Sequence, residues 1–205
     1  MTDSLTTKAT PEIQRAAEYF KQWTILDPNG AQTDIRPDRR YLLKNNTNRH
    51  FLAYKEQNFG INLGFTDDAE PSRAKKVVHW SFVNERRTPV KYGEPVAIRC
   101  KDGYLHYGQR PWGINLDWSD TPIYEWRLLG AKPGTVVKTR DWLCIFNTRS
   151  GIGQPMIRFK REVGGDIGWP DSKTLLQQGL DWAKETVQRA VIEYLKSQAG
   201  GGKSG

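Results

Sequence analysis

Cysteine, methionine and histidine are scarce: the 205 residues hold 2 Cys, 2 Met and 3 His. Cys100 and Cys144 are too few for the disulfide framework of a small secreted scaffold, so both are expected as reduced, buried thiols. The histidines, His50, His79 and His106, form no His-x-Glu or His-Glu-x-x-His spacing, and no Cys-x-x-Cys occurs, so no metal-catalysis signature is present. A Gly-x-Ser-x-Gly elbow is missing too. The Gly-Gly-Gly-Lys-Ser at 200–204 lacks the spaced first glycine and following helix of a phosphate loop. These absences argue against an enzyme, a metal or a cofactor and predict a binding protein.

Long apolar runs are also lacking. No stretch approaches the length that spans a bilayer, and the first residues carry no apolar signal segment, so the chain is expected in the cytoplasm. The net charge of +8 would attract phosphates. Yet the basic residues fall in short, scattered clusters such as Arg39-Arg40, Lys75-Lys76 and Arg86-Arg87, as solvated surface charge does. Nucleic acid is therefore the third choice of partner.

What the sequence does have is an internal repeat. Gly60-Ile61-Asn62-Leu63-Gly64-Phe65-Thr66-Asp67 aligns with Gly113-Ile114-Asn115-Leu116-Asp117-Trp118-Ser119-Asp120 and with Gly165-Asp166-Ile167-Gly168-Trp169-Pro170-Asp171. Each closes on an aromatic, a small residue and an aspartate, and the aspartates stand 53 and then 51 residues apart. Upstream, Phe51-Leu52-Ala53-Tyr54-Lys55, Tyr104-Leu105-His106-Tyr107-Gly108 and Met156-Ile157-Arg158-Phe159-Lys160 alternate as strands do. Tyr41-Leu42-Leu43, Val96 to Cys100 and Trp142 to Phe146 supply a first strand in each unit; Val78 to Phe82 and Tyr124 to Leu128 close units one and two.

Three units of about four short strands, separated by Gly, Pro, Asn and Asp turns, predict an all-β, antiparallel, closed architecture. From Tyr41 to Asp171 the pattern resembles a β-trefoil, with repeats at about 39–90, 91–138 and 139–171 inside a core of 31–171. The ricin-type Gln-x-Trp signature is absent, and Gly103-Tyr104-Leu105 is more similar to the fascin and agglutinin units. The third unit departs from the others, because helical periodicity follows Asp171: Leu176, Leu180, Ala183, Val187, Val191 and Tyr194 form one stripe, predicting a helix over 172–198 before a tail at 199–205. In the N-terminal extension, 1–30, Ile13, Ala16, Ala17, Phe20 and Trp23 share a face and predict a helix over about 11–24. Such stripes are expected to pack against each other or across the barrel; the alternatives are a membrane surface or a partner helix, including that of a second copy in a homodimer.

The resemblance implies a lectin-like protein with shallow, repeat-related sites for carbohydrate. An aromatic face against the C–H side of a sugar, with a carboxylate accepting its hydroxyls, would use Trp118 with Asp120, Phe65 with Asp67, and Trp169 with Asp171. The competing use of the same residues is structural, the aromatic filling the core and the aspartate holding a turn. Trp112, in the turn-rich Gly108 to Gly113 next to Arg110, is a further contact candidate. The alternative function is a protein-interaction or inhibitor module that uses loops and terminal helices.

Overall fold

The computed structural model describes residues 21–56, 61–66, 79–108, 116–148, 154–158 and 167–168. Thirteen strands occur there: β1 (Trp23–Leu26), β2 (Leu42–Asn45), β3 (Leu52–Ala53), β4 (Gly64–Phe65), β5 (Trp80–Val83), β6 (Ala97–Cys100), β7 (Gly103–Tyr107), β8 (Leu116–Ser119), β9 (Trp126–Leu129), β10 (Trp142–Asn147), β11 (Gln154–Pro155), β12 (Ile157–Arg158) and β13 (Ile167–Gly168). All their pairings are antiparallel, and no helix occurs among the described residues. Among them, likewise, no helix is long and apolar enough to cross a membrane.

The pairings run in a cycle. β1 pairs with β2, and β2 meets β5 through the Tyr41↔Trp80 bridge. β5 pairs with β6, which reaches β9 through Val96↔Trp126. β9 pairs with β10, and β10 returns to β1 through Trp23↔Leu143 and Thr24↔Trp142. Residues 143–147 of β10 are buried without alternation, as in a strand covered on both faces.

Beside this cycle lie three two-stranded pairings in matching register. Ala53↔Gly64 in β3–β4, His106↔Asp117 in β7–β8 and Ile157↔Gly168 in β12–β13 are separated by the same 53 and 51 residues as the aspartates. This register corrects one alignment: Met156 stands with Leu52 and Leu105 rather than with Phe51 and Tyr104. A one-residue slip in a strand exchanges its two faces. Met156, fully buried, is thereby on the core side, as Leu52 and Leu105 are.

Three tryptophans fasten the units. Trp80 Nε1 donates to Leu52 O, Trp126 Nε1 to Leu105 O and Trp23 Nε1 to Met156 O, each at 2.6 Å. All three indoles are fully buried, so each N–H needs such a partner. Trp23 and Thr24, which the helical stripe placed at the end of the N-terminal helix, are therefore strand residues. The run Trp-Thr-Ile-Leu favours strand, and pairing on both edges outweighs the three-residue stride from Phe20. Residues 11–20 of that segment, and the expected helix at 172–198, lie outside the described residues.

Candidate functional site

In the two described units the repeated aromatic packs on a core tryptophan. Phe65 stacks on Trp23 with ring centroids 6.3 Å apart, and Trp118 stacks on Trp80 at 6.2 Å. In both pairs the partner is the tryptophan of the strand that precedes that unit in the cycle. Trp118 also meets the Tyr54 ring at 5.6 Å, and Gly103 lies so near that an added Cβ would come within 3.1 Å of the indole. Trp118 is half-buried. Its buried Nε1 has no hydrogen-bond partner, which matches Phe at the same place in the first unit.

Asp120 behaves differently. It is exposed at the end of β8, and the turn it occupies is held by its neighbour: Ser119 Oγ accepts from Thr121 N at 3.2 Å and donates to Thr121 O at 2.9 Å. The carboxylate of Asp120 is thus not consumed in holding the turn. Asp67, Trp112, Trp169 and Asp171 lie outside the described residues.

A polar surface that no local motif announces runs across the four-stranded sheet β5-β6-β7-β8 and ends on Ser119, the residue before Asp120. Cross-strand partners share a face. Ser81↔Arg99, Arg99↔Tyr104 and Tyr104↔Ser119 make one continuous row across all four strands. Neighbouring rows such as Phe82, Ile98 and Leu105 are buried, whereas Arg99 is exposed and Ser81, Tyr104 and Ser119 are half-buried, so this row faces outward. At about 4.8 Å per strand spacing it spans roughly 14 Å.

One end of the row opens into a cleft of about 300 Å³ lined by Arg40, His79, Ser81, Arg99, Lys101 and Asp102. The Tyr41↔Trp80 bridge sets Arg40 beside Ser81, whose Oγ donates to Arg39 O at 3.0 Å. Lys101 and Asp102 are the two-residue link between Cys100 and Gly103. Arg99 is oriented from two sides: its Nε donates to Lys101 O at 3.1 Å, and its guanidinium sits 5.7 Å from the Tyr104 ring centroid. Its ion pair with Asp102 is long, at 4.0 Å, and exposed.

Other reactive groups are occupied or buried. His50 Nδ1 lies 2.6 Å from Thr66 O, and His106 Nδ1 2.8 Å from Tyr107 O. Glu125 Oε1 accepts from Asn147 Nδ2 at 2.8 Å and from Tyr107 N. Burial pushes the Cys144 thiol up to about 12 and Cys100 in the same direction, which suppresses thiolate chemistry. Among the described residues no group of three or more His, Cys, Asp or Glu is arranged to hold a metal ion.

Sequence reasoning named Asp120 and did not name Arg40, Arg99, Tyr104 and Ser119 as a set. Only the strand register brings them together; the legible signal was Gly103-Tyr104-Leu105, read as a unit signature rather than a surface. No family model, curated protein or solved structure matches the chain.

Proposed function

We propose that the chain is a non-enzymatic β-trefoil binding module that recognises carbohydrate on the outward face of the β5-β6-β7-β8 sheet. The six-strand cycle, the three hairpins in equivalent register and the three equivalent tryptophan bonds support the trefoil reading. The observation that carries the functional reading is the outward row from Ser81 to Ser119. It sets a half-buried tyrosine between an arginine and a serine, and the exposed Asp120 follows that serine in the chain. The face of this ring turned away from Arg99 would meet the C–H side of a sugar, while Arg99 donates to hydroxyls and Asp120 accepts from them.

The test is a glycan array probed with the wild-type protein and with Tyr104→Ala, Tyr104→Phe and Asp120→Ala, all confirmed folded by circular dichroism. Sugar binding that survives Tyr104→Phe but falls at least tenfold in the two alanine variants is the expected result. A folded wild-type protein that binds nothing on the array overturns the reading.

A protein partner is the second reading, favoured by Trp142, a large apolar side chain 62% exposed on β10. Affinity capture of a stoichiometric partner that withstands excess sugar and is lost in Trp142→Ser would support it. Elution by free sugar would exclude it.

A further inference from the structure

We propose that the cleft at the head of this row is a subsite for the anionic group of an acidic sugar, a carboxylate or sulfate, held between Arg40, Arg99 and Lys101. The inference rests on the carbohydrate reading of the face and adds to it the charge class of the ligand.

Three observations converge on it. First, the cleft lining has three permanent cations against one carboxylate, Asp102. That carboxylate touches only Arg99, at 4.0 Å and in full exposure, too loosely to neutralise the guanidinium. Second, Arg99 is oriented from two sides: its Nε donates to Lys101 O and its guanidinium lies 5.7 Å from the Tyr104 ring centroid, which lowers the side-chain entropy lost on binding. A planar guanidinium so held suits bidentate pairing with carboxylate or sulfate oxygens.

Third, Lys101 occupies a strained backbone position, φ 52°, where glycine would sit at no steric cost. Arg49, Arg87 and Arg140 share that left-handed region, but of the four only Lys101 lines the cleft. Its ammonium lies 4.0 Å from the Tyr54 ring centroid, and the residue is one of those that line the cleft.

The far end of the row carries the opposite charge. Asp120 repels an anion and accepts hydroxyls, so a short oligosaccharide would lie with its acidic group in the cleft, a ring on Tyr104 and its neutral end at Asp120. Phosphate oxygens satisfy the same cations, which makes nucleic acid the competitor. Tyr104 is the sole ring in the row itself, whereas single-stranded nucleic acid is held by aromatic platforms for successive bases along a basic track. The Asp120 end also opposes a phosphate backbone.

Binding of the full chain is measured by calorimetry to a neutral cello-oligosaccharide, an oligogalacturonate, a sulfated heparin-derived oligosaccharide and a thymidine 20-mer, at low and physiological salt. The variants are Arg40→Gln and Lys101→Gln, with Lys132→Gln as a control that removes the same charge from an exposed site outside the cleft. The expected result is an acidic oligosaccharide bound at least tenfold tighter than the neutral one. Each cleft variant should cut that preference about tenfold, and Lys132→Gln should leave it unchanged.

Equal affinity for neutral and acidic sugars, or an equal loss in Lys132→Gln, overturns the subsite and leaves the carbohydrate reading standing. Binding of the oligonucleotide above every sugar, weakened by the cleft variants, assigns the cleft to nucleic-acid phosphate and overturns the proposal. No binding to any sugar overturns both readings together.

Discussion

Trp80 Nε1 reaches the carbonyl of Leu52, 28 residues earlier in the chain, at 2.6 Å, and so ties β5 to the β3–β4 hairpin of its own unit. Trp126 repeats the contact on Leu105. Trp23 makes it on Met156, 133 residues later in the chain, so β1 does for the third hairpin what β5 and β9 do for the first two. The third unit takes its closing strand from the beginning of the chain.

Equal roles predict equal costs. Replacing Trp80, Trp126 or Trp23 by Phe removes a donor, strips a buried carbonyl of its partner and opens a small void. Each substitution should lower stability by about 2–3 kcal/mol, read as a fall in urea midpoint at constant slope. A Trp23→Phe loss of under about 0.5 kcal/mol beside full losses at the other two would show that β1 does not carry the closing role.

How much of this was legible is best judged residue by residue. The repeat spacing showed in the sequence because each hairpin needs the same turn chemistry, and turns are written locally in Gly, Asn and Asp. β1 was hidden because Trp23 falls in step with Phe20 on a helical stripe, while its strand partners Asn45 and Leu143 lie 22 and 120 residues away. The same distance effect concealed the surface row: Ser81, Arg99, Tyr104 and Ser119 share no local period and meet only through register. The packing of the repeated aromatic was hidden for a related reason. Its recurrence was local and plain, but its partner, a tryptophan of the neighbouring unit, was not.

Trp118 and Phe65 occupy one position in two units, which suggests an exchange. Trp118→Phe removes a buried N–H that has no partner and trims some apolar contact with Trp80 and Tyr54, so the two effects oppose each other. The variant should change stability by less than about 1 kcal/mol and leave sugar binding intact. A stable Trp118→Phe that binds no sugar would return Trp118 to the ligand surface.

The buried thiols set a dependence on alkaline pH. Because the folded-state value of Cys144 is raised to about 12, the unfolded chain releases that proton first as pH climbs past the ordinary thiol range. The stabilisation from a buried neutral thiol is complete below pH 8 and declines as pH rises toward 12. Tyrosines and lysines titrate in the same window, so the readout is the difference between proteins. Urea midpoints at pH 8 and 11 should fall further for the wild type than for Cys144→Ala, and the native thiols should resist an aromatic disulfide reagent at pH 8. Rapid native reaction would place Cys144 at the surface.

Lys101 separates stability from binding. Glycine in its place would relieve a left-handed backbone costing about 1 kcal/mol, and would forfeit a cation–π contact with Tyr54 worth about 0.5–1 kcal/mol. These nearly cancel, so Lys101→Gly should keep its urea midpoint while losing about tenfold in affinity for an acidic oligosaccharide. If the variant is instead more stable and binds unchanged, the lysine serves neither Tyr54 nor a ligand. An unchanged midpoint with weakened binding means that a turn which glycine would fill at no steric cost keeps its lysine for the charge at the cleft wall.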